Sequence, residues 1–338
     1  MTLVACIGGG QLGRMLGLAG IPLGLRFRFL DPCADAPALD VGELVVGAYD
    51  DPAALGRLAR GAAVVTFEFE NVPVEAARSV GALPPPLALE LGQDRLTEKE
   101  LFSRLGIPTA AFGSTVDTGL PALVKSRRLG YDGKGQRLVA AHEQIGDGEL
   151  AEELVAFDRE LSIVAARGHD GDTRFWPLAE NVHRDGILRV TRAPAVAAPQ
   201  AAAEGLVTRL LDELGYVGVI ALELFEEGGR LLANEFAPRV HNTGHWTIDG
   251  AETSQFENHL RAILGLPLGS TAARAPSVMV NLIGGVPPLA ELLALPGAHV
   301  HLYGKKPRPG RKVGHVTLVG APDDAVARAI ELAAAAVA

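Results

Sequence analysis

The 338-residue chain is too long for one ordinary hydrophobic core, so two or three domains are expected. At 48% hydrophobic residues it is a folded globular protein, and its net charge of −9 argues against nucleic acid as the main partner. No apolar run reaches the roughly 18 residues that span a bilayer, the start Met1–Ile7 lacks the basic residues of a signal peptide, and the two cysteines, Cys6 and Cys33, fit small buried hydrophobes in a reducing cytoplasm better than a disulfide.

Leu3 to Ile7 predicts a buried strand, and Gly8-Gly9-Gly10-Gln11-Leu12-Gly13 turns it into a helix that runs to about Ala19. Strands follow at Leu25 to Leu30 and Ala63 to Phe67, with a short apolar segment at Val41 to Val46 and a helix at Pro52 to Arg60 between them. Strands alternating with helices predict a parallel sheet covered on both faces, ending near Pro84-Pro85-Pro86. Gly92 to Leu105 predicts one polar-faced helix. Ala122 to Lys125 and Gln136 to Ala140 are strands around the turn Gly130–Gly135, and Leu154 to Ala166 alternates around charged residues. After a loop at Ala193 to Pro199, a helix spans Ala201 to Leu214. Two apolar strands carrying Glu223 and Glu235 come next, then helices near Gln255 to Leu264 and Pro322 to Val337.

Glu223 and Glu235 lie twelve residues apart around Glu226-Glu227-Gly228-Gly229. A three-residue loop centred on Gly229 sets them opposite each other on one face. Facing carboxylates repel by about 4 kcal/mol at an effective dielectric of 20, and a cation between them removes that cost. Hard oxygen ligands beside the amide of Asn234 point to Mg²⁺ on a nucleotide phosphate. The alternative is a solvated edge hairpin with both charges outward.

Gly8-x-Gly10-x-x-Gly13 matches a dinucleotide fingerprint, with Asp31 near the position of a ribose ligand, so a nicotinamide-dependent oxidoreductase is a rival. The same turn also serves any phosphate at a helix N-terminus, or packing alone. Gly130–Gly135 has Lys134 but neither a following Ser/Thr nor a helix, so it is a glycine hairpin able to fold over a triphosphate, or an ordinary turn. Lys99 and Lys125 stand at element boundaries before it. Glu152, Glu153, Val155 and Glu160 offer a linker for adenine and a carboxylate for ribose, against a reading as surface charge. Arg239, His241 and Asn242 suit an anion better than zinc. Lys305 to Lys312 holds five cations in eight residues, in a loop that is either a solvated face or one wall of an anion pocket.

Taken in order, several segments resemble the ATP-grasp superfamily and, within it, the N5-carboxyaminoimidazole ribonucleotide synthase family. They are Gly8–Met15, Thr66–Val72, Gln93-Asp94-Arg95 leading to Lys99, Gly130–Gln136, Phe157–Glu160, Asp185–Arg189, Asn234–Trp246 and Arg308–His315. The resemblance implies an α/β and α+β ATP-grasp fold with three parts. These are an N-terminal Rossmann-like parallel-sheet domain over 1–90, a linker helix with a central lid domain over 91–176, and a C-terminal antiparallel-sheet domain with a small terminal subdomain over 177–338. It implies a cytoplasmic homodimeric ligase that uses ATP, Mg²⁺ (or Mn²⁺ as a substitute) and bicarbonate to carboxylate the amine of 5-aminoimidazole ribonucleotide. Glu223 and Glu235 would hold the metal. Lys99, Lys125, Gly130, Gly133, Lys134, Gly135, Gln136, Glu152, Glu153, Val155, Glu160, His183 and Asn234 would hold the nucleotide. Gln11, Leu12, Glu70, Tyr131, Asp132, His241, Asn242 and Arg308 would bind substrate, with Arg239, Lys305, Arg311 and Asp132 nearest the chemistry. Another ATP-grasp ligase or transformylase is the alternative within the superfamily.

Overall fold

In the computed structural model, which describes residues 1–113, 120–130, 135–141 and 145–336, the chain opens with a parallel α/β unit. The apolar run β1 (Leu3–Ile7) is buried almost throughout and leads through the glycine turn into α1 (Gln11–Gly20). β2 (Arg26–Asp31), β3 (Glu43–Val46), α2 (Pro52–Ala59) and β4 (Val64–Phe67) complete the unit. The four strands are parallel in the order β3-β2-β1-β4. Strand order reverses between β1 and β4, and a crevice opens beyond the carboxyl ends of strands at such a reversal. Gln11 and Leu12 follow β1 there, and Glu68 and Glu70 follow β4.

The helix expected over Gly92 to Leu105 is present but begins three residues later, at Arg95, and Gly92 instead ends a separate preceding helix. After α3 (Val74–Ser79), α4 (Pro86–Gly92) ends and α5 (Arg95–Arg104) starts afresh, because the Asp94 carboxylate caps it by accepting from Leu96 N at 3.0 Å. The charges of α5 do not all face water: Glu98 and Lys99 are buried. A small antiparallel sheet follows, in the order β5-β8-β6-β7, from β5 (Phe112–Gly113), β6 (Ala122–Ser126), β7 (Gln136–Val139) and β8 (Glu149–Glu153). Among the described residues its apolar cluster is Ala122, Val124, Val139 and Ala151.

The remaining strands form one nine-stranded sheet. β9 (Arg159–Arg167), β10 (Thr173–Phe175), β11 (Ala179–Arg184) and β12 (Ile187–Ala193) precede α6 (Gln200–Glu213). β13 (Gly218–Glu227) and β14 (Arg230–Ala237) form the glutamate hairpin, followed by α7 (Thr247–Gly250) and α8 (Gln255–Ile263). β15 (Ser277–Ile283), α9 (Leu289–Leu293), β16 (Ala298–Leu302), β17 (Lys312–Val319) and α10 (Asp323–Ala335) close the chain. The path runs β14-β13-β9-β11-β12-β15-β17-β16, with β10 paired to β9. β9 therefore belongs to the large sheet, although it lies within residues 91–176. One hydrophobic cluster joins Leu12, Met15 and Leu16 of α1 to Val164, Val219, Trp246 and Leu260, and so fixes the first unit against the large sheet.

Cys6 is buried as expected, whereas Cys33 is exposed, and both are free thiols. No helix among the described residues is long and apolar enough to cross a membrane.

Candidate active site

A cleft of about 1030 Å³ lies where the three sheets meet, and it holds two chemically distinct walls. The first is the β13–β14 hairpin. Its turn is not the expected three-residue loop but Gly228-Gly229, both left-handed (φ 55° and 79°), as a tight two-residue hairpin requires. In that register Glu223 would oppose Asn234. A β-bulge at Asn234 moves the pairing by one residue, so Glu223 pairs with Glu235 after all. The bulge also lets Asn234 and Glu235 both line the cleft while Ala233 and Phe236 go to the core.

The two carboxylates differ in electrostatics. Burial, then repulsion from Glu235, raises Glu223 to about 7. Burial pushes Glu235 the same way, but Arg95 at 2.7 Å, together with Lys125 and His241, outweighs it and holds that carboxyl below its ordinary value. Behind Glu235, the buried Glu98 accepts from Phe236 N at 2.6 Å, and burial followed by the Glu235 charge pushes it up to about 8. Lys125 Nζ lies 2.9 Å from Glu152 and 3.5 Å from Asn234 Oδ1. Lys99 Nζ reaches the same Glu152 oxygen at 3.4 Å and donates to Thr109 at 2.8 Å. His183 pairs with Glu160. Among the described residues no three His, Cys, Asp or Glu side chains cluster as a metal site, so the hairpin offers a divalent ion two carboxylates and leaves other positions to ligand oxygens.

The second wall is cationic. Arg239 pairs with Glu70 and donates to Val240 O at 2.9 Å. Burial, then Arg239, drives His241 well below its ordinary value, so it is neutral, and its Nε2 lies 3.3 Å from Glu223 Oε1. Gln255, buried under the turn, accepts from His241 N at 2.9 Å and donates to His241 O at 2.6 Å, which sets the direction of His241 and Asn242. Lys305 donates to Gln11 Oε1, and burial lowers its ammonium to about 8. Arg308 and Arg311 complete this side. The arrangement can hold a polyphosphate with a metal on one wall and a smaller anion on the other.

Comparison with known proteins agrees with this division. The ribonucleotide synthetase preATP-grasp domain family matches residues 1–93, the ATP-grasp domain family residues 108–256, and the phosphoribosylaminoimidazole carboxylase C-terminal domain family residues 277–329. The N5-carboxyaminoimidazole ribonucleotide synthase of Pseudomonas aeruginosa is 49% identical over 337 residues, covering 93% of this chain and 94% of its own. The chain belongs to the N5-carboxyaminoimidazole ribonucleotide synthase family of ATP-grasp ligases. The crystal structure of the Thermus thermophilus N5-carboxyaminoimidazole ribonucleotide synthetase superposes with a TM-score of 0.93 at 53% identity, over 99% of this chain and 98% of that one. The Aspergillus clavatus enzyme in complex with ADP and 5-aminoimidazole ribonucleotide does so at 0.89 and 29% identity, over 99% of both chains.

Within this family fold, most of the residues singled out from sequence converge on the cleft. Gln11, Leu12, Glu70, Lys125, Gly130, Gln136, Glu152, Glu153, Val155, Glu160, His183, Glu223, Asn234, Glu235, Arg239, His241, Asn242, Lys305, Arg308 and Arg311 all line it. Gly135 and Lys99 do not: Lys99 is sealed behind Glu152, whose carboxylate is turned to the two lysines rather than to solvent. Tyr131, Asp132, Gly133 and Lys134 lie outside the described residues. Arg95, absent from the sequence-derived set, lines the cleft one helical turn before Lys99. Its place in Gln93-Asp94-Arg95 was the available signal. The oxidoreductase reading fails at its own motif, because Asp31 accepts from Gly9 N at 2.9 Å and Tyr49 at 3.0 Å, and Glu68 accepts from Gly10 N and from Gly13 N at 2.7 Å.

Proposed function

We propose that this ATP-grasp ligase carboxylates the amine of 5-aminoimidazole ribonucleotide with ATP and bicarbonate, giving N5-carboxyaminoimidazole ribonucleotide, ADP and phosphate. The observation that carries this reading is the meeting of the Glu223/Glu235 hairpin with the Arg239–Lys305–Arg311 wall in one cleft. Bicarbonate is a poor electrophile. Transfer of the terminal phosphoryl group to its oxygen gives carboxyphosphate, whose phosphate then leaves as the ribonucleotide amine attacks the carbonyl carbon. The protein's part is positioning and charge neutralisation.

Glu223 and Glu235 fit a divalent cation, since two facing carboxylates, one of them raised to about 7, form an excess of negative charge that a cation relieves. They would hold Mg²⁺, with Mn²⁺ as a substitute, and the ion would neutralise charge on phosphate oxygens. Lys125, Asn234, Glu153, Val155, Glu160 and His183 would hold ATP, with Gly130 and Gln136 at the edge of the same cleft. Arg95 would keep Glu235 ionised, and Lys99 would fix Glu152 from behind. Gln11, Leu12, Glu70 and Arg308 would receive the ribonucleotide. Arg239, planar and anchored by Glu70, would grip an anionic oxygen pair beside His241, Asn242, Lys305 and Arg311. We place the enzyme in the cytoplasm as a homodimer, each chain divided near residue 90 and again between β8 and β9, since β9 belongs to the large sheet.

The test is ADP and phosphate release that requires both bicarbonate and the ribonucleotide, with isotope from labelled bicarbonate recovered in the product. Glu235→Gln should abolish turnover while circular dichroism stays unchanged. Full activity in that variant would remove the metal assignment, and label-free turnover would remove the carboxylation.

A further inference from the structure

The glycine turn after β1 has the spacing of a phosphate-binding turn, yet its donors are already spent inside the protein. Gly9 N donates to Asp31 at 2.9 Å, and Gly10 N and Gly13 N donate to the two oxygens of one carboxylate, Glu68, the second at 2.7 Å. A phosphate at a helix N-terminus is held in the same way, by converging backbone N–H groups and the positive end of the helix dipole. The glycines match this side chain sterically. A Cβ at Gly10 would stand 2.4 Å from Glu68 Oε1, and one at Gly8 would stand 2.4 Å from Glu68 Cγ. Glu68 is 7% exposed, and its backbone is tied to β1 by donation from Glu68 N to Ile7 O at 3.1 Å. The first-turn amides not committed to Glu68 are those of Gln11 and Leu12, and Lys305 closes over Gln11 from the basic loop.

We propose that Glu68 is a built-in anion that fills the phosphate seat of the glycine turn, acting as a positioning and specificity-determining residue. By filling the seat it holds Gln11 and Leu12 toward the cleft, bars a nucleotide pyrophosphate from the turn, and leaves the phosphate of the ribonucleotide to the Lys305–Arg311 loop. Burial pushes the carboxyl of Glu68 upward, while the Gly13 and Gly10 amides and then Lys305 oppose that push. The kinetic side of this inference rests on the function proposed above, whereas the structural side does not.

The experiment uses the full-length chain carrying Glu68→Ala or Glu68→Gln, with and without sodium formate at tens of millimolar as the probe. A carboxylate bonded by two amides is worth enough that its loss should raise the KM for the ribonucleotide by about tenfold. The KM for ATP should stay within about twofold of wild type. Formate should reoccupy the seat in Glu68→Ala, recover most of the ribonucleotide KM, and restore slow hydrogen exchange at the Gly10 and Gly13 amides. Wild type should not respond to formate. Glu68→Gln, which keeps the volume, should show the same split of KM values and no formate response, and it carries the kinetic test if the alanine variant does not fold. A ribonucleotide KM within about twofold of wild type in the variants overturns the proposal. So does amide exchange in Glu68→Ala that formate leaves unchanged. If wild type fails to turn over the ribonucleotide, the proposed function falls, while the exchange measurement still decides the role of Glu68.

Discussion

Replacing Glu223 by Gln should stabilise the ligand-free protein while removing its activity. Glu223 is buried, and burial plus the Glu235 charge raises it from an ordinary 4.5 to about 7. That gap corresponds to about 3 kcal/mol of penalty on the ionised folded chain. The sign follows from the raised folded value. Below pH 4.5 the carboxyl is protonated in both states and there is no penalty. Between 4.5 and about 7 the folded chain keeps a proton that the unfolded chain releases, so this group's contribution falls as pH rises, and above about 7 the penalty is complete. Gln keeps an oxygen able to accept from the neutral His241, 3.3 Å away, and carries no charge. In chelator and without nucleotide, Glu223→Gln should melt about 5 °C above wild type at pH 8, with the difference closing toward pH 4.5. Adding Mg²⁺ and ADP should stabilise wild type more than the variant, and the variant's ATP turnover should drop by about two orders of magnitude. A variant less stable than wild type at pH 8, or a difference independent of pH, would refute the reasoning.

Arg95→Met removes the cation that keeps Glu235 ionised. Breaking a fully buried pair costs about 3–5 kcal/mol, which the partial exposure of Glu235 reduces to about 2; the expected readout is a lower melting temperature with a KM for ATP raised about tenfold, and unchanged ATP binding would contradict it. Lys305, lowered to about 8 by burial, loses its charge above that pH, so the ribonucleotide KM should climb by up to about tenfold per pH unit beyond it. Lys305→Arg, which stays protonated, should flatten that limb. Identical profiles for the two proteins would show that another group sets the limb.

The parallel unit was legible because buried strands and an α/β alternation leave strong patterns. The glutamate pair was found for a reason only partly right. Counting from a three-residue loop gave the register that the structure reaches through a two-residue turn and a bulge at Asn234. Simple strand alternation cannot place two consecutive residues in one cleft, so Asn234 and Glu235 are brought together by the bulge alone. Lys99 and Arg95 lie one turn apart on one helix, and the sequence says nothing of which meets Glu152, a residue of another sheet. Glu152, taken by itself, looks like surface charge; its burial exists only because two lysines arrive from elsewhere. Glu68 stands two residues before Glu70 in Thr66–Val72, and nothing local distinguishes a carboxylate that pairs with Arg239 at the cleft from one aimed at its own glycine turn.

The unbroken hydrogen-bonded path of the large sheet also sets the size of the reaction chamber. From β14, which carries Glu235, to β17, which begins at Lys312, the path crosses six inter-strand steps. Laid flat, those steps would separate the two by about 29 Å. Both residues nevertheless line one cleft, so the sheet must roll up like a cupped hand around it. The gap between the carboxylate wall and the cationic wall is then a matter of curvature summed over the intervening strands. Substitutions that flatten or tighten β11 and β12, touching neither wall, become a means of widening or narrowing the chamber.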